Sequence, residues 1–268
     1  MISRYASLRQ GLVGAWCPSL GASGFRLIDR SGYGNHGVLT NMDPGTDWVA
    51  SGGKGALDFD GSNDTVTLPI VEPIASLQVP LTITAWCLKS SGANGSLFTQ
   101  YSKISSNRLI KFAAYGTGEF AYYCSKSDGT FTRVAYSVVP TLGKWNFLSW
   151  TVDGSIATPT IRLGWDGREE SFSPPALSSI PDTSVGIAIA ANYSGAQSSS
   201  GPGVLAEYNA IRLDDIRLYN RALTPSEIRL LYTGGRGVGL APERIKHRRK
   251  TTAAATNRRR RILIGASS

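Results

Sequence analysis

Hard oxygen donors recur at turn-like points of this sequence: Asp29, Asn35, Asp60, Asn63, Asp64, Asp214 and Asp215. Calcium takes about six to eight such ligands, mixed from carboxylates, amides and backbone carbonyls. A Gly-rich loop such as Ser31-Gly32-Tyr33-Gly34-Asn35 can expose carbonyls, and a bulge at Asp214-Asp215 can turn a carboxylate towards it. The same residue types also do plainer work. They stabilise turns, and an aspartate can pair with an arginine.

Acid and base catalysis has less to build on. Retaining glycoside hydrolysis needs two carboxyl groups ~5 Å apart, which on a strand means alternate residues on one face. Glu169-Glu170 are adjacent and point oppositely, and no E-x-D-x-x-E pattern occurs. Asp58 and Asp60 have the right parity, with a turn signal at Asp60-Gly61 beside them. His36 stands alone beside Gly37, and the other histidine, His247, lies near the end of the chain. Cys17, Cys87 and Cys124 fit no zinc spacing. An odd cysteine count without a signal peptide argues against a disulfide framework.

Aromatic residues offer binding surfaces instead. Trp86, Trp145 and Trp150 sit in apolar strand patterns and read as core, whereas Trp48, Trp165 and Tyr193 lie near loops. These three are the candidates for stacking against a ligand ring, with packing as the alternative role.

Charge is concentrated at one end. Residues 236–268 carry a net +9, while residues 1–235 are neutral. The cations form two clusters: Arg244, Lys246, Arg248, Arg249 and Lys250, then Arg258, Arg259, Arg260 and Arg261. Such an arm can neutralise phosphates without reading sequence. It also suits RNA, an anionic membrane or an acidic groove on a neighbouring subunit. Ile262-Leu263-Ile264 follows the second cluster and favours a protein contact as much as a polyanion.

The elements that must position these residues are short strands. Alternating or β-rich runs cover Val66–Leu68, Leu81–Leu88, Arg108–Tyr115, Phe120–Tyr123, Thr130–Val139, Trp145–Val152, Thr160–Trp165, Val185–Ala191 and Ala210–Leu218. Turn signals separate many of them: Asp60-Gly61, Asp128-Gly129, Asp153-Gly154 and Asp166-Gly167. Ser194–Gly203 reads as a loop. No segment approaches the ~20 apolar residues of a membrane span. One helix is predicted, after Thr224-Pro225-Ser226-Glu227, which has the form of a capping box. Gly234-Gly235 stops it. Before it, Ile211 and Leu213 share one strand parity while Ile216 and Leu218 share the other, so a bulge is expected at Asp214-Asp215. Many strands and one helix imply an antiparallel two-sheet sandwich.

Several segments, in order, resemble LamG-like jelly-roll domains, relatives of the concanavalin A-like lectins. They are Gly11–Trp16, Asp29–Gly37, Ala56–Asp64, Thr82–Trp86, Trp145–Leu148 and the closing stretch Leu213–Ile228. One departure is Cys17-Pro18, where the family often has an acidic segment. The resemblance implies an all-β, two-sheet antiparallel jelly roll with one short C-terminal helix. It also implies a structural Ca2+ held between an N-terminal loop and the closing strand, with Asp29, Asn35 and Asp215 as its ligands. The layout of a neutral jelly roll with an arginine-rich extension resembles virion proteins of tailed phages.

The expected organisation is a lead-in over 1–10, the jelly roll over 11–235 and a basic C-terminal arm over 236–268. The expected function is non-enzymatic recognition of a glycan or a surface protein, with the arm anchoring the domain among neighbouring subunits of an assembly such as a phage virion. Nucleic acid is a further partner through the arm. Synthesis without a signal peptide places the protein first in the cytosol. The alternatives are a purely structural virion or decoration protein and a polysaccharide-processing enzyme.

Overall fold

The computed structural model describes residues 7–236 apart from 70, 75–76, 78, 90–94, 102–107, 116–118, 126–130, 137–140, 156, 175, 177–186, 195–203 and 207. The first strands are β1 (Leu12–Trp16), β2 (Arg26–Leu27), β3 (Gly37–Thr40), β4 (Trp48–Ser51), β5 (Lys54–Asp60) and β6 (Thr65–Leu68). The middle of the chain forms β7 (Leu81–Lys89), β8 (Gly95–Tyr101), β9 (Arg108–Tyr115), β10 (Glu119–Ser125), β11 (Phe131–Tyr136) and β12 (Trp145–Gly154). Then follow β13 (Pro159–Trp165), β14 (Arg168–Phe172), β15 (Ile187–Ile189), β16 (Asn192–Ser194), β17 (Val204–Ala206) and β18 (Ala210–Tyr219). The helix α1 spans Pro225–Gly234.

Two antiparallel sheets form the sandwich. The first has the order β14-β13-β12-β7-β18-β5-β4, with β1 also paired to β18; the second has the order β11-β10-β9-β8-β15-β6-β3-β2. Alternate residues of central strands meet between the sheets. On the first sheet, Leu81, Ile83, Ala85 and Cys87 of β7 lie beside Leu148, Trp150 and Val152 of β12 and Ile211, Leu213, Ile216 and Leu218 of β18, and this layer shares one core with Val66, Phe98, Phe112, Ile187 and Ile189 of the second sheet. The predicted change of phase in β18 therefore occurs. Its register shifts between Asp214 and Arg217, and Asp215 adopts φ +49°. The bulge has a cause in the topology. Residues 210–213 of β18 pair with β5, and residues 216–219 pair with β1. Asp214 and Asp215 fall where the strand changes partner.

Turn chemistry follows the sequence. Asp166 and Gly167 both have positive φ and close the β13–β14 hairpin in two residues, as a primed turn requires. Gly52 and Gly53 close β4–β5 the same way. The stretch Asp128-Gly129 and most of Ser194–Gly203 lie outside the described residues; Ser194 ends β16. The strand β14 was not anticipated, because Arg168-Glu169-Glu170 is charged throughout. It is an edge strand, where charge discourages pairing with another chain.

The helix packs on the outer face of the first sheet. Thr224 accepts from the Glu227 backbone N–H at 3.3 Å, and Glu227 accepts from the Thr224 backbone N–H at 3.0 Å, completing the capping box. Ile228 and Leu231 bury against Trp86, Phe147, Tyr219 and Leu223. Leu8 joins this cluster at 0% exposure. The segment from Ser7 expected as a lead-in is thus docked, and Arg221 ties it down by donating to the Ser7 and Gln10 carbonyls. Arg221 also forks onto Glu227 at 2.8 and 2.9 Å. That guanidinium holds the Glu227 carboxyl down to about 2. No helix of the described residues is long and apolar enough to cross a membrane.

Candidate functional site

Cross-strand pairing on the outer face of the first sheet places one row of side chains side by side. Trp145 of β12 lies opposite Leu88 of β7. Leu88 lies opposite Arg212 of β18, and Arg212 opposite Asp58 of β5. Asp47, just before β4, accepts the Asp58 backbone N–H through its carbonyl at 2.8 Å. These residues alternate with core residues such as Leu57, Phe59, Ile211 and Leu213, so strand parity turns them outward.

The Arg212 end of this row opens into a cleft of about 340 Å³, lined by Asp47, Asp58, Phe59, Asp60, Leu88, Ala210 and Arg212. Arg212 donates to Asp58 from Nε at 2.9 Å and approaches it from Nη2 at 2.8 Å. Both contacts use the single oxygen Asp58 Oδ2, and both side chains are about a third exposed (38% and 34%). Arg212 Nη1 and Asp58 Oδ1 take no part in that contact. The pair therefore presents donor and acceptor together. That combination suits vicinal hydroxyl groups, each of which both donates and accepts.

The neighbouring turn is built on carboxylates. Asp60 Oδ1 accepts from the backbone N–H of Ser62 at 2.7 Å and of Asn63 at 3.4 Å. The Ser62 hydrogen bond holds Asp60 below the usual carboxylate range. Asp64 accepts from the Asp60 backbone N–H at 3.0 Å, and its burial pushes its carboxyl up.

The three residues expected to hold calcium are placed as follows. Asp29 accepts four hydrogen bonds, from Ala15 N, Ser31 N, Ser31 Oγ and Asn35 N, all between 2.7 and 2.9 Å. Asn35 Nδ2 donates to the Val13 carbonyl, and the Asn35 backbone carbonyl accepts from Trp16 Nε1, while the buried Asn35 Oδ1 has no hydrogen-bond partner. Asp215 sits in another network. Arg217, 2% exposed, grips it with Nε at 2.7 Å and Nη2 at 2.9 Å, and Cys17 Sγ donates to it at 3.2 Å. All four lone-pair sites of Asp29 are committed, and Asp215 already has a buried cation. As arranged, this set does not fit calcium. Among the described residues no group of three or more His, Cys, Asp or Glu side chains is arranged to hold a metal.

The aromatic candidates do not form one platform. Trp48 and Trp165 are half-buried against the inter-sheet core. Their indole N–H groups donate to the Gly24 carbonyl and to Asp166 Oδ2, each at 2.9 Å. They stand on β4 and β13, five strand spacings apart, roughly 24 Å at ~4.8 Å per strand. The backbone of Tyr193 is in β16; its side chain lies outside the described residues, as do Arg244, Lys246, Arg248, Arg249, Lys250 and Arg258–Arg261.

A family model for the concanavalin A-like lectin/glucanases superfamily matches residues 60–229. The chain belongs to this superfamily. No curated protein matches it. Among solved structures, the binding domain of Paraclostridial Mosquitocidal Protein 1 superposes with TM-score 0.62 at 17% identity, over 84% of this chain and 52% of that one. The botulinum neurotoxin serotype D binding domain gives 0.60 at 14%, over 84% and 52%. The serotype D ligand binding domain solved in complex with N-acetylneuraminic acid gives 0.60 at 14%, over 87% and 53%. This chain spans about half the length of those solved chains. At such identities the likeness is one of fold.

Sequence reasoning passed over Arg212 and treated Asp58 as a turn residue. Parity alone turns both outward, but their pairing across 154 positions is set by strand order and register, which parity does not give.

Proposed function

We propose that this protein is a non-enzymatic recognition module that binds a glycan in the Arg212–Asp58 cleft, with its basic arm anchoring it in a larger assembly. The observation that carries the reading is the Arg212–Asp58 pair, about a third exposed, in the lining of an outer-face cleft, in a superfamily that includes lectins. The similar solved structures are named as binding domains, and one was solved with a sialic acid, which supports a binding role. The carboxylates of the cleft suit recognition better than hydrolysis. Asp60 is held below the usual carboxylate range by backbone N–H groups, whereas a general acid needs a raised pKa. The anchoring role, including incorporation in a phage particle, rests on the charge layout of residues 236–268.

The test is a glycan array probed with the full chain and with Arg212→Ala at elevated salt, which suppresses contacts of the arm. Glycans retained by the parent and lost by the variant support the reading. Equal retention by both, or none by the parent, overturns it. A second reading, a structural protein that contacts neighbouring subunits, is favoured by Phe25, Tyr33 and Val38, which are 64%, 59% and 53% exposed. Loss of assembly in Phe25→Ser, Tyr33→Ser with an empty array would select it.

A further inference from the structure

The last described residue, Arg236, does not project into solvent. It is 7% exposed, and its guanidinium carbon lies 3.8 Å from the centroid of the Trp145 ring. Nη1 donates to the Gly55 carbonyl at 3.3 Å, and Nη2 donates to the Ser51 carbonyl. Nε faces Asp214 Oδ2 at 3.7 Å, while Ser19 N donates to Asp214 Oδ1 at 3.0 Å. The Arg236 carbonyl in turn accepts from Lys54 Nζ. One aromatic face, two carbonyls and a carboxylate thus meet one planar cation. Asp214 is fully buried, and a buried carboxylate without a nearby cation is costly. Arg217 grips Asp215 through Nε and Nη2, whereas the cation that faces Asp214 is Arg236.

We propose that Trp145, Asp214 and the Ser51–Gly55 turn form a guanidinium-binding socket, which Arg236 occupies to fix the root of the basic arm on the outer face of the first sheet. A guanidinium matches the socket where an ammonium does not: it stacks flat on an indole while its edge N–H groups fork onto acceptors in its plane. The socket also sets where the arm begins. Trp145 and Arg212 are two strand spacings apart in one row, roughly 10 Å, so Arg236 is seated on the face that carries the cleft.

Chemical rescue tests the socket on the full chain. Arg236→Ala is expected to melt lower than the parent, and millimolar arginine amide to restore much of the loss, because a ligand that binds only the native state stabilises it. Lysine amide at equal concentration is expected to restore little, and Arg236→Lys to melt near the alanine variant. Rescue is expected to vanish in Arg236→Ala, Trp145→Leu. Unchanged melting of Arg236→Ala overturns the proposal, as does equal rescue by the two amides. Should Arg236→Ala not fold, Arg236→Lys takes its place: a melt below the parent's supports the socket and an unchanged melt overturns it.

Discussion

The outer face of the first sheet has two unlike ends. Under α1 it is closed: Trp86, Phe147 and Tyr232 pack with ring centroids 5.4 to 6.0 Å apart, and Tyr219 and Leu223 are fully buried beside them. At the β5 end it is open, and Arg212 and Asp58 meet in contact with solvent. Both ends carry ion pairs, but burial changes their meaning. Arg217 and Asp215 are 2% and 4% exposed, where removing one partner strands a charge in a poorly solvated site. Arg212 and Asp58 can each fall back on water. The closed end should govern stability and the open end binding.

The largest effect is expected at the closed end. Arg217→Met leaves Asp215 buried without its cation and should cost about 3–5 kcal/mol in chemical denaturation. Replacing both residues, as Arg217→Met with Asp215→Asn, should recover much of the loss. If the single variant costs no more than an exposed pair, the two ends do not differ as argued. Leu223→Ala follows, at about 2–5 kcal/mol for a fully buried leucine. Thr224→Ala, which removes only the cap, should cost about 1 kcal/mol.

How far these features were legible in the sequence depended on distance along the chain. The cap at Thr224, the Asp166-Gly167 turn and the change of phase at Asp214-Asp215 are local, and spacing alone reveals them. The identity of α1 and of most long strands came the same way. The Arg212–Asp58 pair, the seating of Arg236 on Trp145 and the clamp from Arg221 to Ser7 join residues 154, 91 and 214 positions apart. Only strand order brings them together. Two of the aromatic candidates show a contact that loop proximity does not reveal. Trp48 and Trp165 lie near loops, yet both lean on the core, because an indole at a strand end can still cover the sandwich edge.

The next effect depends on pH. Glu227 is held at about 2, against an ordinary 4.5, first by the hydrogen bonds from Arg221. Its folded pKa is depressed, so its contribution is fully present above 4.5 and is lost as pH falls towards 2. The linkage amounts to about 1–3 kcal/mol after allowing for partial solvent screening. Thermal melts of Glu227→Gln should therefore sit below the parent at pH 7 and converge with it near pH 2. A constant gap across that window would place the clamp's effect in packing.

At the open end, Arg212→Ala should change stability by less than about 1 kcal/mol, since the pair is exposed. It should nonetheless weaken glycan binding by about tenfold or more, the worth of one charge-assisted hydrogen bond. A large loss of stability with unchanged binding would reverse the assignment of the two ends.

The smallest effect concerns calcium, and it divides the two carboxylates that the family resemblance puts in one site. Asp29 spends its lone pairs on the backbone of its own loop and on Ala15 of β1, and Asp215 spends two on Arg217. A calcium ion bridging them would have to displace N–H donors from the first and a guanidinium from the second. Several charge-assisted hydrogen bonds would be lost for each new coordination bond. The same melting temperature is therefore expected in calcium and in chelator, for protein shown beforehand to be metal-free. Asp29→Asn should still destabilise in both conditions, because its role is to hold the loop and not an ion. A calcium-dependent rise in melting temperature that disappears in Asp215→Asn would show instead that Arg217 swings away on binding, and that the closed end of the sheet opens to admit a metal.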